Sequence, residues 1–281
     1  MKEFKDKVAV ITGAASGIGQ GIAYRCSKER MKVVISDIDE KRLGRTERTL
    51  SRAGTQVLSV LTDVSKASDV EQLAKKTIDI FGEVHLLFNN AGIAIPRLVW
   101  EYELKDWERV LGVNLWSVIY GIRTFVPIMI KQDNECHIVN TASIEGIISQ
   151  GLGGATYGVC KHALVHLSER LALELEEHGP KIKVSVLCPG LVSTNIFISA
   201  MDRLSEYMDN VNEIFNTMDE ERLVFFRQLM EESPPMTPEN VADIVIQAIR
   251  NEDFYIFTHK DPIIKELVKE RLEGILKAFE I

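Results

Sequence analysis

Short runs of branched aliphatic residues without polar alternation recur along the chain, and each is followed by a stretch whose apolar positions fall at helical spacing. Residues 8–12, 32–36, 56–61, 84–88, 137–140 and 183–187 read as strands, and 18–30, 40–52, 67–81, 106–131 and 155–178 as the main helices among them. A strand with no polar face is buried on both sides, so the pattern predicts a parallel sheet covered by helices on each face. Right-handed crossovers make this a doubly wound α/β sheet in one domain. A later helix is announced by Thr237 as N-cap and Pro238 at its first position, with Val241, Ile244, Val245, Ala248 and Ile249 on one face. Residues 254–258 form a last predicted strand. The tail places Ile264, Leu267, Val268, Leu272, Ile275 and Phe279 on one helical face, which predicts that it docks. The expected organisation is one unit over 1–260, containing a substrate lid at 195–235, and a helical extension at 261–281.

One window, 111–130, is apolar enough to suggest a membrane span, but it contains Asn114, Arg123 and Pro127. An Arg at mid-bilayer costs about 3 kcal/mol on insertion scales, so a buried helix is expected instead. The first residues mix charges and lead into an apolar stretch broken at Gly13, which is unlike a secretory signal. The 281 residues are 46% hydrophobic and 26% charged, a globular composition, and the net charge of −8 argues against nucleic-acid and anionic-membrane partners. Cys26, Cys136, Cys160 and Cys188 are widely spaced, so neither a disulfide framework nor a metal site is indicated, and a cytoplasmic location is expected.

Directly after the first strand, Thr12-Gly13-Ala14-Ala15-Ser16-Gly17-Ile18-Gly19 opens a helix. Glycines there let the backbone approach a pyrophosphate while the helix N-terminus supplies unpaired N–H groups. The spacing is G-x-x-x-G-x-G and misses the generic fingerprint, so a Gly-rich structural turn beside a solvated Asp is the competing reading. Asp37 follows the second strand, 18 residues past Gly19. That is near the ~20-residue offset of an acid that binds an adenosine ribose. A 2′-phosphate beside this carboxylate would meet like charge, so NAD is favoured over NADP. Ser36, Ile38 and Ser16 offer no cation to compensate.

Tyr157 and Lys161 lie four residues apart, hence on one helical face, and Ser143 falls just past the fifth strand. In an open sheet that edge is where ligands bind, so all three can converge. An ammonium ~4 Å from a phenol at an effective dielectric near 20 would lower its pKa by about three units, towards the range where a general base works. Most such pairs are solvated surface pairs, and the spacing alone does not decide between the two.

Thr12 to Gly19, Asn89-Asn90-Ala91-Gly92, Asn114, Ser143, Tyr157-Gly158-Val159-Cys160-Lys161 and Pro189-Gly190-Leu191-Val192-Ser193-Thr194, taken together, resemble the short-chain dehydrogenase/reductase family in order and spacing. The resemblance covers residues 5–195 closely. It implies a Rossmann fold and an NAD(P)-dependent alcohol dehydrogenase or carbonyl reductase. By that likeness Tyr157 is the acid/base, Ser143 orients the substrate oxygen, Lys161 holds the nicotinamide ribose and acidifies Tyr157, and Asn114 anchors a proton-relay water. Gly13, Ser16, Gly17, Ile18, Gly19 and Asp37 would hold the adenosine half of the cofactor. Asp63 and Val64 would flank the adenine, Asn90 and Gly92 the adenosine side, and Val192 and Thr194 the nicotinamide carboxamide, with Ala91, Pro189 and Gly190 also among the cofactor-binding residues. Gly158 and Val159 replace commoner small polar residues. Cys160, His162 and His166 are read as packing residues. The likeness also implies a homodimer or homotetramer paired through helices 111–130 and 155–175.

The lid carries an apolar set, Phe197, Ile198, Met201, Met208, Ile214, Phe215, Met218, Phe225, Phe226 and Met230. These could line a hydrophobic pocket or seat two amphipathic helices on the body. Nine acids against three arginines there would repel an anionic carrier. The expected reaction is therefore hydride exchange between NAD(H) and a neutral hydrophobic secondary alcohol or ketone, a small-molecule substrate. The competing readings are an NADPH-dependent 3-oxoacyl thioester reductase and a non-catalytic dinucleotide sensor.

Overall fold

A computed structural model of the chain describes residues 1–149, 154–194, 196, 228 and 231–279. Its parallel strands are β1 (Val8–Thr12), β2 (Lys32–Asp37), β3 (Val57–Leu61), β4 (Leu86–Asn89), β5 (Cys136–Thr141), β6 (Ile182–Cys188) and β7 (Tyr255–Phe257). They form one sheet in the order β3-β2-β1-β4-β5-β6-β7. The helices are α1 (Gly17–Lys28), α2 (Glu40–Arg52), α3 (Ala67–Phe81), α4 (Leu104–Leu111), α5 (Ser117–Gln132), α6 (Gly154–His178), α7 (Pro238–Asn251) and α8 (Pro262–Lys277).

The absence of polar alternation in the strands has the expected cause. Along β1, Ala9 and Ile11 join Ile22, Ala23, Val241 and Val245 of α1 and α7 in one core. Val8 and Val10 join Leu73, Phe125 and Leu171 of α3, α5 and α6 in the other. Every residue of β1 is buried. The strand order reverses between β1 and β4, and the crevice beyond their carboxyl ends is the topological switch point where such sheets bind ligands. Local signals set many boundaries: Asp39 caps α2 by accepting from Arg42 N at 2.9 Å, and Thr237 caps α7 by accepting from Asn240 N at 3.3 Å. Gly82, at φ +79, closes α3 in the left-handed conformation.

Three expectations change. The single helix predicted over 106–131 is α4 and α5 joined by a π-helical turn, Gly112–Trp116, whose extra residue carries Asn114. Gly112 opens the turn, and the tertiary bonds made by Asn114 tie it to the loop after β4. α5 is also buried along one face only: Val118, Phe125 and Met129 are covered, while Ile130 is 42% exposed, as is Trp116 just before the helix, at 48%. In the tail, Ile264 and Leu267 are buried, but Leu272, Ile275 and Phe279 are exposed. Docking is thus confined to the first half of α8. The apolar set from Phe197 to Met230 lies outside the described residues.

α1 and α7 approach so closely that a Cβ at Gly21 would lie 2.6 Å from the Pro238 carbonyl oxygen. That oxygen belongs to a capped helix start and cannot swing aside. Gly21→Ala is therefore expected to lower unfolding free energy by about 1–3 kcal/mol in urea titrations. An unchanged midpoint would show that α7 can slide.

Candidate active site

The first wall of the crevice is the turn after β1. Gly13 and Gly17 adopt φ of +67° and +55°, and Cβ atoms at Gly13 and Gly19 would lie 2.8 Å from Ala91 Cα and 2.3 Å from Gly13 O. Only glycine fits this cradle. Ser16 is the N-cap of α1, yet its side chain makes no capping bond, so the first-turn N–H groups face the crevice uncapped by it. Ala14 N donates to Ser36 O at 3.0 Å, Ala15 N to Asp37 Oδ2 at 3.0 Å and Asp39 N to Asp37 Oδ1 at 3.0 Å. The Asp37 carboxylate is thereby fixed at the end of β2 beside the turn. Glycine cradle, helix start and carboxylate suit a dinucleotide: backbone amides for the pyrophosphate and an acid for a ribose hydroxyl.

The second wall starts at β4. Thr12 Oγ1 accepts from the amides of Asn90 and Ala91 at 2.9 and 3.1 Å, and Asn90 Nδ2 donates to Thr12 O at 3.1 Å. Thr12 thus joins the two loops across the switch point. In the sequence, the only signal for this role of Thr12 is its place as the last strand residue before the glycines. Asp63 turns inward on its own loop, accepting from Ser65 N and Oγ at 3.1 and 2.6 Å and pairing with Lys66 at 3.2 Å. Partial burial pushes the Asp63 carboxyl up, but these donors outweigh it and hold the group below the usual range. Val64 is buried beside it.

The polar cluster lies farther along the same edge. Asn114 is fully buried; its Oδ1 accepts from Ile93 N at 2.8 Å and its Nδ2 donates to Ile93 O at 2.9 Å. Its amide therefore fastens the loop after β4 to the π-turn. A Cβ at Gly92 would lie 3.4 Å from Asn114 Oδ1 and 3.7 Å from Lys161 Nζ, so Asn114 and Lys161 flank one glycine. Lys161 is 3% exposed, its ammonium donates to Thr141 O at 2.7 Å, and it lies 5.3 Å from the Tyr157 ring centre. Ser143 is buried at the end of β5, and its Oγ accepts from Glu145 N at 3.2 Å. The carbonyl of Pro189 accepts from Ile144 N at 2.9 Å, which sets the 189–194 turn against the serine loop. Val192 bridges to Met236, and Thr194 packs on Gly17. The predicted residues Ser143, Tyr157, Lys161, Asn114, Gly92 and Pro189 are thus gathered in one place. Cys160 is buried against Val110, His162 reaches Gly146 O at 2.8 Å, and His166 points outward beside Glu169.

Electrostatics correct one expectation. Burial pushes the Tyr157 phenol up to about 12, opposed by the neighbouring Ser143 hydroxyl, and burial pushes the Lys161 ammonium down to about 8. The anticipated acidification of the tyrosine is outweighed by loss of hydration, which raises the phenol and lowers the ammonium together. Tyr157 holds its proton at neutral pH. Among the described residues, no three His, Cys, Asp or Glu gather as a metal-binding group.

Comparison with known proteins agrees with this geometry. A CLA biosynthesis dehydrogenase/reductase from Lactiplantibacillus plantarum is 36% identical over 274 residues, 96% of this chain and 94% of that protein. A 1-deoxy-11-beta-hydroxypentalenate dehydrogenase from Streptomyces exfoliatus is 30% identical over 92% of this chain and 85% of its own length. A short chain dehydrogenase/reductase from Burkholderia phymatum, solved in complex with NAD, superposes with a TM-score of 0.84 at 39% identity, covering 99% of this chain and 97% of that one. The short chain dehydrogenase family model matches residues 7–204, and with the cradle and the Ser143, Tyr157 and Lys161 cluster in place the chain belongs to that family of oxidoreductases.

Proposed function

We propose that the protein is an NAD(H)-dependent oxidoreductase acting on a neutral hydrophobic secondary alcohol or the corresponding ketone, with Tyr157 as the acid/base. The observation that carries this reading is the buried Lys161 ammonium bound to Thr141 O and 5.3 Å from the Tyr157 ring, beside Ser143 and next to a glycine cradle. The NAD complex of the Burkholderia relative and the dehydrogenase names of the others support it. When bound, the nicotinamide would take the hydride from the carbinol carbon or return it to the carbonyl. Ser143 orients the oxygen through its hydroxyl. Tyr157 gives up its phenolic proton to that oxygen on reduction and takes one back on oxidation. Lys161 positions the ribose and carries positive charge beside the phenol at neutral pH, and Asn114 fixes the loop after β4 to the π-helical turn next to them.

Asp37 supports NAD over NADP, and the acidic 195–235 segment supports a substrate without an anionic carrier. Ile130, Val159 and Leu173, with Trp116 just before α5, leave apolar surface on the outer side of α5 and α6, which supports a homodimer or homotetramer. The four free, buried thiols suit a cytoplasmic setting.

Tyr157→Phe is expected to lower turnover by roughly 10²–10⁴-fold with NADH affinity retained, measured by steady-state assay and fluorescence titration. Retained turnover would remove Tyr157 from the mechanism. Because the phenol stays protonated up to about 12, alcohol oxidation, which needs the phenolate, should quicken with pH through the alkaline range, while ketone reduction holds steady. An oxidation rate already level below neutrality would contradict this. Asp37→Ala should shift the NADP to NAD ratio of kcat/KM by about tenfold, the like-charge penalty discounted for exposure. An unchanged ratio would place cofactor choice elsewhere.

A further inference from the structure

The segment between Pro189 and Met236 is fastened at both ends to one short stretch, residues 258–261, that joins β7 to α8. At the near end Gly190 N donates to Thr258 Oγ1 at 3.1 Å, and the Thr258 hydroxyl lies 2.7 Å from His259 Nδ1. At the far end His259 Nε2 lies 3.1 Å from Pro234 O, and Ser233 Oγ donates to Asp261 Oδ2 at 2.8 Å. The two ends also meet directly, with Ser193 N donating to Met236 O and Met236 N to Leu191 O, each at 2.9 Å. Thr258, His259 and Ser233 are all buried.

The chemistry of the ring assigns the protons. A carbonyl only accepts, so Nε2 carries a hydrogen and donates to Pro234 O. With the one ring proton on Nε2, Nδ1 accepts from the Thr258 hydroxyl, which keeps a lone pair for Gly190 N–H. The bonds run in one direction, from Gly190 through Thr258 to His259, and a second donor leaves the ring for Pro234. The ring also stands where a side chain at Gly190 would project, since a Cβ there would lie 2.7 Å from Nδ1. On the other side of the turn, Ile144 N holds Pro189 O, so the 189–190 peptide is gripped between the Ser143 loop and His259.

We propose that His259, with Thr258, is a positioning residue that sets the spacing between the nicotinamide-side turn 189–194 and the stem 233–236 at the other end of the substrate segment. It acts through both and touches no reacting atom. The proposal rests on the reading that 189–194 faces the nicotinamide. An imidazole suits the task because one rigid ring presents an acceptor to one end and a donor to the other, whereas a side-chain amide can replace only one nitrogen at a time.

Two variants separate the arms. His259→Asn places an acceptor near the Nδ1 position and cannot reach Pro234; His259→Gln places a donor near Nε2 and gives up Thr258. Hydrogen exchange and NADH fluorescence titration read the outcome. His259→Asn should speed exchange at Ser193 and Met236, with Gly190 protected and NADH affinity unchanged. His259→Gln should expose the Gly190 amide and weaken NADH binding by roughly five- to tenfold, the equivalent of one lost hydrogen bond. Thr258→Val should reproduce the His259→Gln pattern, which keeps the test intact if one variant does not fold. Equal loosening of both ends in all three variants, with NADH affinity unchanged, would reduce His259 to a packing residue and overturn the proposal. If the wild-type protein itself binds no NADH, the cofactor reading fails, and the exchange pattern alone decides whether the two ends are separately held.

Discussion

Lys161 carries an ammonium into a position almost wholly removed from water, and the Thr141 carbonyl 2.7 Å away is the acceptor that makes this tolerable. A buried cation without such a partner would be expelled or would discharge. The bond ties α6 to the carboxyl end of β5, and the position of α6 decides where Tyr157 stands. Asn114 and Gly92 lie close beside that ammonium. The rest of the cluster follows from the sheet beneath: strands buried on both faces leave their polar groups to converge at one edge.

The same burial explains why simple Coulomb reasoning about the tyrosine went astray. A point charge at fixed distance from a phenol lowers its pKa, but the pair lies where hydration is lost by both partners. Desolvation then pushes the phenol up and the ammonium down together. At neutral pH the phenol therefore keeps its proton, and the ammonium beside it stays largely charged.

Much of the architecture could be read from residue pattern alone because strands without a polar face and helices with one apolar stripe obey local rules. Asp39, Thr237 and Gly82 mark helix ends through side-chain or backbone chemistry that needs no knowledge of distant neighbours. The π-turn at Asn114 escaped because its cause lies 21 residues away, in the backbone of Ile93. Thr12 escaped for a similar reason: its hydroxyl gains meaning only when β4 lies beside β1. The tail misled because a periodic apolar face states that a helix has something to cover, not how much of it the rest of the chain reaches. Ser143, Tyr157 and Lys161 were recognisable through their ordered spacing, while their protonation depended on packing that spacing does not encode.

Because β4 sits between β1 and β5, the crevice is assembled from segments that are far apart in the chain. During synthesis the glycine cradle emerges early, but Thr12 has nothing to bridge until Asn90 and Ala91 have left the ribosome. The anchor of Lys161 requires roughly the first six-tenths of the polypeptide. A nascent chain therefore passes through a long interval in which it can collapse without offering a finished dinucleotide groove.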